Sequence, residues 1–459
     1  MATAPVPRAF PSSSGLPRTV SWRSAVLIAL GGAVLITVSL GPMAVEMGNV
    51  SVLVWALTVG VGAVQCLLLG ELSSRFPGRA GGTPQFAYRS VPRGSSTLGA
   101  LSSWCYWYAW TPGIAVNLIL AALYLRAVVW PSAPVVPVAA VIGVALYALN
   151  SMGLRTSMRA SAVLAVLVLV PLTLIVATPL IEPHVFHAHN LLPLALPPGS
   201  PHGAGGIAAL VAKWTFVAAW SAYGGEMAST VSAEVRELGW RMPRTMAIAA
   251  GVCVATFVLV PVSLLGIVGA QGLADDPLTA FVPAARLLLG PAAETAVGLT
   301  LAVALVLGAQ AFIFGSSRTV YQLSLDGHLP RAFARVNRRG VPVGSIALDT
   351  AVIAVMLAVF GTHVVDVVAA ANVGYLVVFI LMPMAYLVLR HHPGGDPGGT
   401  RLPRAFVPVA VALIAFNAAV LVLGGLQWGG KVMLTGALVS ALILPMSWLT
   451  RLAHRRSRA

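Results

Sequence analysis

The chain has 459 residues, of which 58% are hydrophobic and only 9% are charged. Ordinary soluble domains carry roughly 25% charged residues, so this composition excludes a typical water-soluble globular protein. The formal net charge of +15 raises the question of a nucleic-acid partner, which the distribution of the basic residues along the chain decides.

Apolar runs of about 20 residues recur along the chain, and each is long enough to cross a hydrocarbon core of about 30 Å. They predict an all-α integral membrane protein with about twelve transmembrane helices. The expected spans lie at residues 24–45, 51–72, 97–126, 135–152, 160–181, 206–230, 246–270, 295–321, 343–361, 367–389, 405–425 and 431–450.

The lysines and arginines alternate with these spans. With the N-terminus inside the cell, all 28 basic residues fall in cytoplasmic segments except Arg126, Lys213, Arg286 and Lys431. This is the positive-inside pattern of a multi-pass membrane protein, whereas a patch that binds nucleic-acid phosphates would not alternate with the spans. We therefore expect a protein of the cell (plasma) membrane, with both termini cytoplasmic and no nucleic-acid partner.

The segments outside the spans are short. Residues 1–23 are rich in Pro and Ser and lack the apolar core of a secretory signal, so we interpret them as a cytoplasmic tail, as we do the basic residues 451–459. All three cysteines lie within apolar spans, and no disulfide framework is implied. The outer connection at residues 182–205 carries His184, His187 and His189 among prolines, for which a solvated loop is a better interpretation than a metal site. Neither a metal nor a cofactor is predicted.

Two spans in corresponding positions contain helix breakers. The first contains Gly41-Pro42, where the proline removes a backbone donor and clashes with the carbonyl four residues earlier. The sixth, five spans later, contains Gly224-Gly225. An odd number of spans per repeat inverts the second repeat relative to the first, and interrupted helices meeting near the midplane are typical of inverted-repeat transporters. The predicted repeats and the two additional helices cover residues 24–182, 206–390 and 404–450.

Three segments carry a resemblance to a known family. Residues 71–77, E-L-S-S-R-F-P, resemble the E-L-x-x-x-F-P run that ends the family's second span, and residues 220–226 resemble its interrupted sixth span. Residues 316–330, followed by 337–342, resemble the S-S-R…D-G-x-x-P…N-x-x-G-x-P stretch after its eighth span, in order and in spacing. Over spans 1–10 the chain is similar to the amino acid–polyamine–organocation superfamily of permeases.

The resemblance implies a leucine-transporter-like fold, with two extra C-terminal helices, that moves an amino acid or a related amine by alternating access. Proton-coupled symport and exchange are both open, and a polyamine or organocation is the alternative substrate. A membrane-embedded enzyme would need convergent catalytic groups, and the 13 acidic residues are spread along the chain. A channel would need rings of like residues or a repeated filter, and neither occurs in the sequence. No oligomeric state is predicted.

An amino acid substrate needs free backbone N–H groups for its carboxylate and free carbonyls for its ammonium, and interrupted helices supply both. In the first span these groups are expected from Thr37, Val38, Ser39, Leu40 and Gly41. A shifted alignment selects Gly31, Gly32 and Ala33 instead. Small residues that only let helices pack closely are the competing interpretation. In the sixth span Ser221, Ala222, Tyr223 and Gly224 are expected to line the pocket.

Trp220 matches the aromatic gate that closes over substrate in related exchangers, where an indole can stack on a substrate side chain or cation. A packing or lipid-facing tryptophan is the alternative. Tyr106 and Trp107 of the third span are weaker candidates for the pocket, because aromatic residues are also common as core and interfacial residues of spans.

Glu226 matches a sixth-span glutamate that some relatives use for proton-linked steps. An intramembrane carboxylate marks a pathway or a proton site by default, and a structural glutamate bonded to unwound backbone is the equal alternative. Lys213 is interpreted as a residue that reaches the outer surface rather than a coupling residue. Some relatives carry a fifth-span lysine in place of a sodium ion, but Val168 occupies that position here. Inner-loop residues Arg318, Asp326 and Arg338 are expected to tether an inner gate or simply to be solvated.

Overall fold

The computed structural model describes residues 21–23, 25–26, 32–76, 82–90, 96–151, 155–229, 241–338, 341–391 and 399–456. Within these ranges the chain forms α-helices, short 3-10 segments and one π turn, and no β-strand occurs. The helices α1 to α15 cover Leu40–Met47, Ser51–Arg75, Thr83–Ser90, Ser96–Val128, Val135–Ser151, Arg155–Ile181, Gly203–Ala222, Arg241–Asp275, Phe281–Leu289, Pro291–Leu325, Val343–Phe360, Val364–His391, Phe406–Ala419, Gly430–Ala441 and Ile443–Arg456. The predicted all-α membrane class is confirmed.

Nine helical segments in the described ranges are long and apolar enough to cross a membrane. A tenth results if Leu169–Ile181 and Pro183–Asn190, which meet at 97°, form one broken span. The predicted number of twelve is not confirmed. The expected span 24–45 includes residues outside the described ranges, and the apolar helix Val135–Asn150 is shorter than the ~20 residues that a span needs.

The long helices α4 and α10 form the centre of the molecule. They pack against each other over most of their lengths, and α4 also contacts α5 and α12. The C-terminal helices α13, α14 and α15 lie at the periphery, where Val411, Leu434 and Trp448 are each more than half exposed. Exposed apolar residues of this kind are what a bilayer covers.

Glycines permit the closest helix crossings. A Cβ at Gly374 of α12 would lie 2.9 Å from the carbonyl oxygen of Cys105 in α4. A Cβ at Gly436 of α14 would lie 2.5 Å from the carbonyl oxygen of Ala370 in α12. Within a bilayer, close backbone packing at small residues is a main source of helix association. These glycines therefore hold α12 tightly between α4 and α14.

The first predicted span is interrupted at a different residue from the one expected. Residues Gly32–Val38 form a 3-10 segment, Ser39 is a turn residue, and α1 begins at Leu40. Pro42 thus lies in the first turn of α1 instead of marking the break, which corrects the prediction. A proline is tolerated there because the first N–H groups of a helix have no acceptor within the helix.

The sixth predicted span is interrupted close to its glycine pair. Helix α7 ends at Ala222, and Gly224–Ser229 form a 3-10 segment. This segment packs against the 3-10 segment Gly32–Val38 of the first span. The two irregular stretches therefore face each other inside the helix bundle, where non-helical backbone is tolerated at membrane depth.

Candidate functional site

The 3-10 segment after α7 carries a fully buried carboxylate, Glu226. Its Oε2 accepts a hydrogen bond of 2.6 Å from the Thr83 hydroxyl of α3. Its Oε1 accepts hydrogen bonds from the hydroxyls of Tyr106 in α4, at 2.8 Å, and of Tyr375 in α12, at 3.4 Å. Three helices distant in sequence thus converge on one side chain.

Within the described ranges, the hydrogen-bond donors to the Glu226 carboxylate are all neutral hydroxyls, and no cation forms an ion pair with it. Burial opposes an ionised carboxylate, whereas hydrogen bonds from hydroxyl donors support it. The Thr83 hydroxyl also lies 3.0 Å from the Ser229 hydroxyl, which continues the chain of groups that can donate or accept. The arrangement can therefore hold Glu226 with or without a proton.

Trp220 lies six residues before Glu226 and is fully buried. Its indole Nε1 donates a hydrogen bond of 2.8 Å to the carbonyl oxygen of Ala109 in α4. The indole is 5.5 Å, centroid to centroid, from the ring of Trp110. The candidate gate is therefore held against α4 by one polar and one aromatic contact.

Trp110 is the centre of an aromatic cluster that the sequence did not single out. Its ring lies 5.2 Å from the ring of Phe312 in α10 and 5.2 Å from that of Tyr375 in α12, in addition to Trp220. Tyr106 joins the cluster at 6.2 Å. Such pairs add to the free energy of burial, and they bring the predicted Trp220 and Tyr106 to one place.

Trp107, the other weak candidate, faces a different neighbour. Its Nε1 donates a hydrogen bond of 2.6 Å to Asp349 of α11, which is fully buried. The hydroxyl of Ser316 in α10 donates to the second oxygen of Asp349 at 2.7 Å. This second buried carboxylate was missed, although an acidic residue inside the apolar run of α11 is a sequence signal that could have found it.

Among the remaining sixth-span candidates, only Tyr223 makes a side-chain hydrogen bond to another helix within the described residues. Tyr223 is buried, and its hydroxyl donates to Asn417 of α13 at 3.1 Å. A Cβ at Gly62 would lie 2.8 Å from the Tyr223 ring, so α2 approaches it closely. The Ser221 hydroxyl returns to the Ala218 carbonyl of its own helix, and Ala222 and Gly224 are buried without polar side chains.

The first-span candidates are buried together around the break. Thr37 donates to the Val34 carbonyl at 2.7 Å, whereas the buried Ser39 Oγ has no hydrogen-bond partner within the described ranges. A Cβ at Gly41 would lie 2.0 Å from the carbonyl oxygen of Pro277, so this glycine permits close packing. Val38 and Leu40 are buried. Gly31 lies outside the described residues, and only the backbone is described for Gly32, Ala33 and Val168.

Lys213 is held in an ion pair, which the interpretation as a surface-seeking lysine did not include. Its Nζ lies 2.8 and 2.7 Å from the two carboxylate oxygens of Glu46. The ammonium also lies 4.8 Å from the ring centroid of Trp428 and 5.6 Å from that of Trp214. This cluster joins α7 to α1 and to the segment between α13 and α14.

A second ionic cluster lies at the C-terminal end of α2, and the 25 residues of this helix span about 37 Å. Glu71 pairs with Arg75 at 2.9 Å and with Arg390 of α12 at 2.7 Å. The backbone N–H of Leu402 donates to the same carboxylate at 2.8 Å. These contacts tie α2 to α12 at Glu71, within residues 71–77 of the first family-like motif. Asp326, one of the inner-loop residues expected to tether a gate, instead accepts a hydrogen bond from Gln322 at the end of the preceding helix α10.

The sequence of the chain is similar to those of known transporters. A sequence model of the amino acid permease family matches residues 20–443. An uncharacterized transporter of Mycobacterium tuberculosis is 28% identical over 94% of both chains. An uncharacterized amino acid permease of Bacillus subtilis, YvbW, is 21% identical over 82% of this chain and 84% of its own. The lysine-specific permease LysP of Escherichia coli is 24% identical over 76% and 73%.

The match covers both interrupted spans, the carboxylate of Glu226 and the tether at Glu71. The all-helical architecture fits the leucine-transporter-like fold that the sequence resemblance implied. A multi-pass transporter of the membrane, and not an enzyme, is what the family and its relatives indicate. The chain belongs to the amino acid permease family.

Proposed function

We propose that this protein is a secondary active transporter that carries an amino acid, or a related amine, across the plasma membrane by alternating access, with both termini cytoplasmic. The observation that carries the proposal is Glu226, a fully buried carboxylate among neutral hydroxyls, six residues after Trp220 at the break of a span. A carboxylate that can take up and release a proton at this place couples substrate movement to a proton gradient.

The substrate site of this proposal lies between the two interrupted spans. Helix α7 ends at Ala222 and α1 begins at Leu40, so the backbone N–H and C=O groups at two helix ends meet here, next to the 3-10 segments Gly32–Val38 and Gly224–Ser229. Such groups bind the carboxylate and ammonium of a zwitterion. The unpartnered Ser39 hydroxyl adds one buried polar atom that a substrate can satisfy. The repeat boundaries at residues 24–182 and 206–390 belong to this proposal.

A thermal-shift screen of the purified protein tests the substrate class. We expect one of the twenty L-amino acids, or putrescine or spermidine, to raise the melting temperature, because a ligand at 100 times its Kd stabilises the folded state by about 2.7 kcal/mol. Uptake of that compound by proteoliposomes, with and without an inward pH gradient, then distinguishes proton-coupled symport from exchange. A protein that melts unchanged with every compound and takes up none of them would contradict the proposal.

Removal of the candidate gate is expected to weaken substrate binding. Trp220→Ala deletes the indole that packs on Trp110 and bonds to Ala109. We expect about a tenfold loss of affinity, the size of a stacking or cation–π contact of 1–2 kcal/mol. Titration of the stabilising ligand by thermal shift measures the change. Trp448→Ala is the matched control, because that indole is 62% exposed on α15, and equal losses in both variants would refute the role of Trp220.

A further inference from the structure

Gly113 of α4 lies directly beneath the indole of Trp220. A Cβ at this glycine would lie 2.9 Å from Cζ2 and 3.3 Å from Cη2 of Trp220, and 3.1 Å from Cε2 of Phe312. Any other residue would therefore displace one of the two rings. The indole occupies its present position because residue 113 has no side chain.

The backbone of Gly113 itself does not require glycine. Its φ is not in the left-handed region, and it lies in the interior of α4. Glycine destabilises a helix interior relative to alanine. What the glycine supplies here is space for a ring, not backbone freedom.

Ala109 lies four residues before Gly113, so both are on one face of α4. The indole N–H donates to the Ala109 carbonyl, and atoms Cζ2 and Cη2 of the same indole lie over Gly113. Trp110 packs against the indole of Trp220, and Phe312 packs against Trp110. Together Ala109 and Gly113 form a seat with one polar contact and one steric recess, which accepts the indole in one orientation.

We propose that Gly113 is a positioning residue of the transport cycle, and that the seat it forms with the Ala109 carbonyl determines whether Trp220 closes over the substrate site. The proposal rests on the function proposed for this protein. Closure requires the indole to enter the recess over Gly113, and opening requires it to leave. A side chain at residue 113 holds the gate open without altering any group that contacts substrate.

Labelling of a cysteine in the site tests the seat without knowledge of the substrate. The parent carries Ser39→Cys, with the three native cysteines replaced by alanine, in proteoliposomes treated from outside with a membrane-impermeant maleimide. Gly113→Ala is expected to raise the labelling rate about tenfold, which corresponds to a shift of about 1.4 kcal/mol towards the open state. Gly60→Ala in α2 is the matched control, because its Cβ would meet nothing within 4 Å. Equal rates in the parent and Gly113→Ala would overturn the proposal.

The Trp220→Phe variant distinguishes a specific effect of Gly113 on the indole from a general effect on helix packing. Phenylalanine at residue 220 lacks the outer indole atoms that a Cβ at 113 would strike, so Gly113→Ala should change labelling less than twofold in Trp220→Phe. A tenfold effect that persists there would overturn the proposal. If Gly113→Ala lowers the yield of folded protein, adding Trp220→Phe must restore that yield. A double variant that folds as poorly as Gly113→Ala would also overturn the proposal. Absence of uptake by the unmodified protein counts against the proposed function, whereas the labelling ratios stand independently.

Discussion

Glu226→Gln is expected to abolish accumulation driven by a pH gradient while leaving the protein folded. Glutamine has nearly the same shape as glutamate and still accepts the hydrogen bond from Tyr106, but its amide cannot bind and release a proton. A gradient of one pH unit supplies about 1.4 kcal/mol per proton, which sustains about tenfold accumulation with one proton per substrate. In the variant the inside-to-outside ratio should fall to about one. Proteoliposomes with an imposed inward pH gradient provide the measurement.

Asp349→Asn is the matched control for Glu226→Gln. Asp349 is also fully buried and also accepts two hydrogen bonds from neutral donors, Trp107 and Ser316. It lies outside the aromatic cluster around Trp220, so its amide variant should retain pH-driven accumulation. If Glu226→Gln also retained pH-driven accumulation, Glu226 would be a structural residue. If the variant still exchanged substrate but no longer accumulated it, Glu226 would be the coupling group.

Glu71→Ala is expected to give the largest loss of stability of any single change at the ionic clusters. It leaves the guanidinium groups of Arg75 and Arg390 without their shared carboxylate, and Arg75 is almost fully buried. Removal of one partner from a buried ion pair destabilises by about 3–5 kcal/mol, because an uncompensated charge remains. The backbone N–H of Leu402 loses its acceptor too. The apparent melting temperature and the rate of denaturant-induced unfolding of detergent-solubilised protein measure the effect.

Glu182→Gln serves as the control for this prediction. Glu182 pairs with His184 at 3.3 Å, but the His184 side chain is 78% exposed, and solvent screens such a pair so that little stability depends on it. Glu71→Gln keeps an acceptor for Leu402 and should fall between the two. An unchanged melting temperature for Glu71→Ala would show that the arginines find other partners.

Some residues of the candidate site can be recognised in the sequence, and others cannot. Glu226 and Trp220 are recognisable because a carboxylate and a glycine pair interrupt an apolar run. Thr83, Tyr375 and Trp110 are not, because hydroxyls and aromatic rings are ordinary in membrane helices and nothing local says which face of a helix meets the site. Their roles depend on the order in which α3, α4 and α12 pack around the sixth span.

The break of the first span illustrates the limit of local rules. Gly41-Pro42 is the strongest breaker in that span, yet α1 includes it and the irregular segment precedes it. Proline disfavours a helix interior but not a first turn. The start of the helix decides which of the two positions Pro42 takes. That start is set by packing against neighbouring parts of the chain, as at Gly41 against Pro277 in the connection between α8 and α9.

By itself, the sequence determined the membrane class, the two interrupted spans and the permease family, because each rests on composition or on residues adjacent in the chain. Only the tertiary structure decided which side chains meet. Arg390 reaches Glu71 across 319 residues, Tyr106 turns to Glu226 while its neighbour Trp107 turns to Asp349, and Trp220 enters the space over Gly113. The physical reason is that hydrogen bonds, ion pairs and ring contacts act over a few ångströms, a scale set by helix packing and not by separation along the chain.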